Sequence, residues 1–276
     1  MKKLLFPLFA AGAVLLALPL EARTVYITRH AQVGYPMKEI RETRITELGV
    51  KQAQALADFL VNKCKFNGAI YASPFYRTIE TATYTGKLLK KKVILEPGLQ
   101  EVATFPRPTP PGMKYTQIQS YFPGLTVPGK RYKDPWRLYN EPHIQRTARV
   151  AKALDAILAE EKGDVLLVGH GASVVSLVRA LNQKRVKGVR KISGTAWNCA
   201  LYIVELNEKD QVIKRRYTTE FMADKDVTNN FRCPKIERPN DPKYMTRAQD
   251  KANRAKAAAK AAKAKKGAGK KAKTQK

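Results

Sequence analysis

The sequence predicts a three-layer α/β/α sandwich around a mainly parallel sheet, and three observations lead there. Short apolar, β-branched runs alternate with stretches whose apolar residues recur at helical spacing. The strand-like runs are nearly continuous in apolar residues, the pattern of strands covered on both faces. Their order (strand, helix, strand, helix, strand, then helix, strand, helix) is that of crossover units in an α/β fold. At 276 residues and 44% hydrophobic content, the chain can bury such a core.

Residues 24–28 form the first strand. Residues 46–62 carry Leu48, Ala55, Leu56, Phe59 and Leu60 at helical spacing, with Thr46 as the N-cap. Residues 68–73 form the second strand, and Pro74, at a first helical position, introduces a helix to about Lys91. A short third strand covers 93–95. Residues 105–136 break the pattern with seven prolines and the aromatics Phe105, Tyr115, Tyr121, Phe122, Tyr132 and Trp136. This length predicts a functional excursion or lid with one short helix at 115–121. Its aromatics suit either a ring-shaped leaving group or core packing. An amphipathic helix over 141–161 uses Ile144, Ala148, Ala151, Leu154, Ile157 and Leu158. A strand at 164–168 and a helix at 172–181 follow, then a hairpin of 200–205 and 211–217.

Charge and the chain ends bound the setting. The net charge is +29. Residues 243–276 hold 13 Lys and Arg against Asp250 alone, and residues 23–242 hold 37 basic and 21 acidic residues. Both parts suit an anionic ligand or surface. Met1-Lys2-Lys3 precedes an apolar run over 4–20, and Ala22 offers a cleavage point before Arg23. This reads as a cleaved export signal over 1–22 rather than an anchor, and implies a periplasmic or extracellular protein. The globular part is then 23–231, followed by a Lys/Ala-rich tail over 232–276 expected to lack persistent structure. The tail over 243–276 suits an anionic polymer or membrane surface, and the export signal argues against nucleic acid. Cys64, Cys199 and Cys233 leave one bridge or none equally open, and their spacing matches no zinc site. No cofactor is implied.

In open parallel sheets, ligands sit outside the carboxyl ends of the strands. The first strand runs into Arg29-His30, and the second into Ser73-Pro74 with Arg77 in the next turn. The strand at 164–168 runs into Gly169-His170-Gly171. Two histidines and two arginines therefore converge on one edge. Arginine forks match tetrahedral oxyanions. A neutral imidazole can attack phosphorus, and a second, protonated one can donate to the non-bridging oxygens. The helix from about 172 directs free N–H groups to the same place. A phosphoryl group is the expected guest, with its charge met by the arginines and His170.

The ordered motifs resemble one family. Arg29-His30-Ala31 resembles the R-H-G signature of the histidine phosphatase superfamily, with its phosphoglycerate-mutase-like fold. Thr46-Glu-Leu-Gly-Val-Lys-Gln-Ala resembles T-x-x-G-x-x-Q-A, and Ser73-Pro-Phe-Tyr-Arg77-Thr-Ile-Glu-Thr81-Ala82 resembles S-P-x-x-R-x-x-x-T-A. Leu99-Gln-Glu101 resembles L-x-E, Val168-Gly-His170-Gly171 resembles V-x-H-G, and Asn198-Cys-Ala resembles N-x-S/A.

The resemblance implies an exported, metal-independent phosphomonoester hydrolase acting on a small phosphorylated substrate. His30 would be the nucleophile that becomes phosphohistidine. Arg29, Arg77, His170 and Gly171 would form the phosphate pocket, with His170 also counted as catalytic. Glu101 would protonate the leaving alcohol and then activate water, in preference to Glu80 and Glu47, which fall inside helices. Two departures stand out. Ala31 replaces the usual glycine, and Pro36 stands where many members have a phosphate-binding asparagine, for which Gln32 and Tyr35 are candidate substitutes. His143 reads as an exposed helix-start residue. The alternative is a catalytically weak phosphatase-like module that binds anionic polymers or phosphorylated ligands through its pocket and tail.

Overall fold

The computed structural model describes residues 22–34, 39–101, 109–191 and 196–229, together with 245–246, 248, 251–252, 255–256 and 258–259. Nine strands and five α-helices are present among them. Strands β1 (Arg23–Arg29), β2 (Ala69–Ala72), β3 (Val93–Leu95), β4 (Thr126–Pro128) and β5 (Val165–Gly169) are parallel. Strands β6 (Leu201–Leu206) and β7 (Val212–Thr218) form the predicted antiparallel hairpin at one edge. The sheet order is β4-β3-β2-β5-β1-β6-β7.

Alternation along the central strands explains the two helix layers. Val25, Ile27, Val165 and Leu167 point into one apolar cluster, beneath α4 (His143–Glu160) and α5 (Gly171–Gln183). Tyr26, Leu166 and Val168 point into the opposite cluster, beneath α1 (Glu47–Asp58) and α2 (Tyr76–Leu89). Each fully buried side chain of this size contributes about 1.5–3 kcal/mol over leaving it in water. Continuous apolar runs are therefore what a strand covered on both faces requires.

Helix ends follow local chemistry. Thr46 caps α1 as expected, its hydroxyl accepting from Gly49 N at 3.1 Å. The predicted continuation to 62 is a π-helical turn, Phe59–Lys63. Pro74 is not the first residue of α2: Phe75 is the N-cap, and Tyr76 N, the first orphan donor, bonds Arg41 O at 2.9 Å. Ile144, expected on the apolar stripe of α4, is 81% exposed. It lies roughly 120° around the helix from Val150, whereas Arg146 lies about 40° from it. Arg146 therefore takes the inward position.

The segment expected as a functional excursion or lid is described from residue 109 on. Beyond residues 105–108, which lie outside the described set, it folds into the body. The predicted helix α3 (Tyr115–Tyr121) is present, and β4 pairs with β3 through Val93↔Thr126 to become the sheet edge. Met113, Ile118, Phe122, Trp136 and Leu138 bury with Phe75, Tyr76, Ile79 and Leu95 in a third cluster. Core packing accounts for Phe122 and Trp136, with Tyr115 and Tyr132 packed against them, whereas Tyr121 is exposed and Phe105 lies outside the described residues.

Residues 1–21 and most of 232–276 lie outside the described residues, so the export signal and the bulk of the tail have no structural account. Within the segment expected to be unstructured, β9 (Met245–Thr246) pairs antiparallel with β8 (Thr228–Asn229). A backbone ladder makes this pairing, which hydropathy does not foresee. No described helix is long and apolar enough to cross a membrane. Cys64 and Cys199 are free thiols, and Cys233 lies outside the described residues.

Candidate active site

Strand register brings the predicted residues together. Arg29 pairs with Gly169, and Ala72 pairs with Val168, so β1, β2 and β5 end level at one edge. His30, His170, Arg29 and Arg77 all meet there, each no more than 3% exposed. The imidazoles of His30 and His170 lie edge to face, 5.3 Å between centroids.

His30 is fixed from every side. Its N–H continues the ladder to Gly169 O at 2.9 Å, and its carbonyl accepts from Asn198 Nδ2 at 2.9 Å. Its Nδ1 lies 2.7 Å from the Ala31 carbonyl oxygen. That oxygen can only accept, so Nδ1 carries the proton and Nε2 keeps its lone pair. The next two residues are pinned as well: Ala31 N donates to Thr81 Oγ1 at 2.9 Å, and Gln32 N to Gln52 Oε1 at 2.8 Å. Ala31 is fully buried in the α1–α2 cluster and does not have a left-handed backbone. The methyl that replaces the family's glycine therefore packs without backbone strain.

Arg29 Nη1 donates to Ala196 O at 3.1 Å and to Asn229 Oδ1 at 3.4 Å. Arg77 bonds Ile40 O, and its guanidinium stacks 4.8 Å over the Phe75 ring. His170 is the N-cap residue of α5, and its Nε2 lies 2.9 Å from Ser73 Oγ. Phe75 meets the His170 ring edge to face at 4.9 Å, backed by Trp136 at 5.4 Å. Gly169 is required by close approach: a Cβ there would stand 2.5 Å from Ser173 Oγ, which accepts from His170 N at 2.7 Å. Gly171 opens α5, whose free N–H groups and positive dipole end face the same edge.

Burial and the neighbouring cations set the charge state of both imidazoles. Burial, then Arg77 and Arg29, hold the His30 pKa well below its ordinary value. His170 is held low by burial, Arg77, His30, Arg29 and Arg149. Burial and the two guanidinium groups therefore favour the neutral form of both imidazoles. Charging a second buried imidazole beside two guanidinium groups is unfavourable until an anion joins them.

Glu101 follows the 3-10 turn Pro97–Leu99, with Oε2 4.0 Å from His170 Nδ1. Its loop is held by residues the sequence reading missed. Arg149 donates to Gly98 O at 2.5 Å and to Gln100 O at 3.5 Å, and it is anchored by Glu141 at 2.6 Å. Gln100 Nε2 donates to Pro97 O and Arg137 O, while its Oε1 accepts from Tyr139 N. Ser73, Thr81 and Asn229 were likewise given no role. Only Ser73 and Thr81 had a signal, inside the quoted motifs.

The remaining predictions are placed as follows. Glu80 pairs with Arg44 and accepts from Ile45 N, and Glu47 is an exposed first-turn residue of α1. His143 is exposed at the first position of α4, 2.8 Å from Arg179 Nη1. Gln32 Oε1 accepts from Thr46 Oγ1 at 2.6 Å, which ties it to α1. Tyr35 and Pro36 lie outside the described residues. Among the described residues, no group of three or more His, Cys, Asp or Glu is placed to hold a metal ion.

Comparisons with known proteins give the family and the fold. The chain is 32% identical, over 193 residues and 57% of its length, to the transcription factor tau 55 kDa subunit of Saccharomyces cerevisiae. It spans 40% of that protein. Among solved structures, the ecdysone phosphate phosphatase of Bombix mori, in complex with tungstate, has the same fold. The TM-score is 0.52 at 21% identity, over 70% of this chain and 92% of that one. A mycobacterial glucosyl-3-phosphoglycerate phosphatase aligns with TM-score 0.48 at 22% identity, over 71% of this chain and 97% of the other. The sequence profile of the histidine phosphatase superfamily (branch 1) matches residues 25–219, from β1 past the end of β7. The chain belongs to that superfamily and has its phosphoglycerate-mutase-like α/β fold.

Proposed function

We propose that the chain is a metal-independent phosphomonoester hydrolase working through a phosphohistidine at His30. The observation that carries this reading is the tautomer: Nδ1 is tied to the Ala31 carbonyl, so the Nε2 lone pair is available beside Arg29, Arg77 and His170. In the first step Nε2 attacks phosphorus, the ester P–O bond breaks, and Glu101 gives its proton to the leaving oxygen. In the second, Glu101 takes a proton from water, the oxygen attacks phosphorus, and the N–P bond breaks. Inorganic phosphate leaves, and His30 is again neutral. Arg29, Arg77 and the α5 N-terminus stabilise the charge spread over the equatorial oxygens. The incoming dianion favours the charged form of His170 and so turns it into a donor.

Export through residues 1–22 and tethering through 243–276 to an anionic polymer or membrane surface belong to the same proposal, supported by composition alone. The transcription-factor relative raises a binding-module reading, but two neutral buried histidines between arginines favour catalysis. The test is hydrolysis of p-nitrophenyl phosphate in excess chelator, with trapping of an acid-labile, base-stable phosphoenzyme. His30→Ala should lose both, and equal turnover by wild type and variant overturns the proposal.

A further inference from the structure

The segment that follows α5 carries charge that the phosphate site does not use. Residues 184–191 read Lys-Arg-Val-Lys-Gly-Val-Arg-Lys, five cations in eight positions with no acid. Backbone bonds hold them on a built surface. Val186 N bonds Val212 O at 3.2 Å and Val212 N bonds Lys184 O at 2.9 Å, which stitches the segment to the start of β7. Val189 N closes a turn on Val186 O at 3.3 Å, with Gly188 at a φ of 93° that favours glycine. Arg185 Nε donates to Asn182 O at 2.6 Å and its Nη1 to Val189 O, which fastens the turn.

The cations of this region differ in what meets them. Lys184, Lys214 and Arg216 pair with Asp155, Glu205 and Glu220, whereas Lys187, Arg190, Lys191 and Arg215 form no ion pair among the described residues. Lys187, Arg190 and Lys191 are exposed, and Arg215 is half-buried on β7. Burial, then Arg185 and Arg190, hold the Arg215 pKa below its ordinary value, so these guanidinium groups crowd one another. Crowded like charges repel until an anionic surface faces them.

Apolar groups stand on the same strand. Ile213 is the unpaired residue of the bulge between the Glu205↔Lys214 and Leu206↔Val212 pairs. Among the described residues five large hydrophobics are exposed, and Ile213 and Tyr217 are two of them. Tyr217 lies against the Tyr202 ring, 4.7 Å between centroids. Cations beside an aliphatic side chain and a tyrosine suit a headgroup layer over an apolar interior. Nucleic-acid phosphates would meet the cations and leave Ile213 in water. Val212 pairs with Leu206 and Leu206 with Arg23, so the stitched end of the segment lies at the amino edge of the sheet, away from His30. We propose that Lys187, Arg190, Lys191 and Arg215, with Ile213 and Tyr217, form a docking surface for an anionic phospholipid bilayer that leaves the phosphate site open. The surface belongs to the folded body, so it acts apart from the tail at 243–276 and does not rest on the hydrolase reading.

The experiment is a lysine footprint on the full chain. Mixed phosphatidylglycerol–phosphatidylcholine vesicles, phosphatidylcholine vesicles, and duplex DNA at the same phosphate concentration are compared under brief acetylation, and mass spectrometry reads the rate at each lysine. The mixed vesicles should slow Lys187 and Lys191 by roughly tenfold or more, and phosphatidylcholine alone by less than about twofold. Lys51 and Lys65, exposed on the α1 side, should change less than about twofold in either. Arg190→Gln with Arg215→Gln should raise the lipid concentration for half-protection by roughly tenfold or more, at about fivefold per cation, and the corresponding pair of lysines should keep the wild-type value. Ile213→Ser should weaken protection by vesicles and leave any protection by DNA unchanged. No protection of Lys187 and Lys191, or equal protection of Lys51 and Lys65, overturns the proposal. So does DNA that protects as well as the mixed vesicles, together with an Ile213→Ser variant that behaves as wild type, since the surface would then read phosphate polymers and not a bilayer.

Discussion

His30 and Glu101 approach His170 from opposite supports. The proposed nucleophile sits on the sheet. Its N–H belongs to the β1–β5 ladder, its carbonyl is held by Asn198, and its neighbour's N–H by Thr81, residues 168 and 50 positions away in sequence. The proposed acid sits on a loop, at the end of a 3-10 turn whose carbonyls are gathered by one arginine and one buried glutamine. Many independent bonds fix the first group, and Arg149 with Gln100 fixes the second. Rigidity is placed where a lone pair must aim in line, and adaptability where leaving groups differ.

The largest expected effect breaks the acid side. Glu101→Gln removes the proton that an alkoxide needs on departure, a loss of about 10²–10⁴ for alkyl phosphates. p-Nitrophenolate leaves without help, so its phosphate ester should lose far less. Arg149→Met should show the same dependence on the leaving group but to a smaller degree, near tenfold on alkyl esters, because it displaces Glu101 without deleting it. Steady-state kcat over a series of leaving-group pKa values measures both. A loss that is equal for alkyl and aryl esters would remove Glu101 from the role of acid.

The two sides also differed in how they could be read from sequence. His30, Arg29, Arg77 and His170 were legible because strand ends are legible: apolar runs stop, and polar residues follow at once. Parallel pairing then does the assembling. Glu101 was reached through its resemblance motif, and its supports were not reached at all. Arg149 reads as a surface charge on an amphipathic helix until the fold shows its partners at Gly98 and Gln100, about 50 residues upstream. Arg146 did carry a signal, since it falls on the apolar stripe while Ile144 falls off it, but Ile144 was the more tempting hydrophobe. β4 was hidden for another reason. Thr126–Pro128 is three residues long and ends in a proline, and only the neighbouring edge of β3 makes it a strand. How strongly burial and the arginines disfavour the charged form of His170 has no sequence signature.

That neutral histidine pair gives a second, intermediate effect, in pH. In the unfolded chain both imidazoles take up protons near pH 6.5, whereas in the folded chain they do so only well below it. Between those values the unfolded state binds more protons, so stability is level above about pH 6.5 and falls as the pH drops below it. Each histidine contributes up to about 1.4 kcal/mol per pH unit in that window. Denaturant melts at pH 7, 6 and 5 should show the decline, and His170→Asn should make it shallower. The acid limb of kcat/KM, which reports the free enzyme, should lie below pH 6.5 for the same reason. A limb at or above 6.5 would mean that burial and the arginines do not suppress the charge on His30.

The smallest effect tests the nucleophile side by removing one support among many. Thr81 is 1% exposed, accepts from Ala31 N and donates to Arg77 O at 2.6 Å. Thr81→Val keeps the shape and leaves the Ala31 N–H unsatisfied, a cost of about 1–3 kcal/mol. It should appear as a lower denaturant midpoint at unchanged m-value. The ladder bond to Gly169 and the Asn198 contact remain in the variant, so His30 keeps its aim and kcat should fall only a few-fold. That fall should be the same for alkyl and aryl esters, because the Ala31 support acts on attack and not on departure. A loss in Thr81→Val that grows with leaving-group pKa would show that the two sides are coupled through His170, and that loop and sheet hold one unit rather than two.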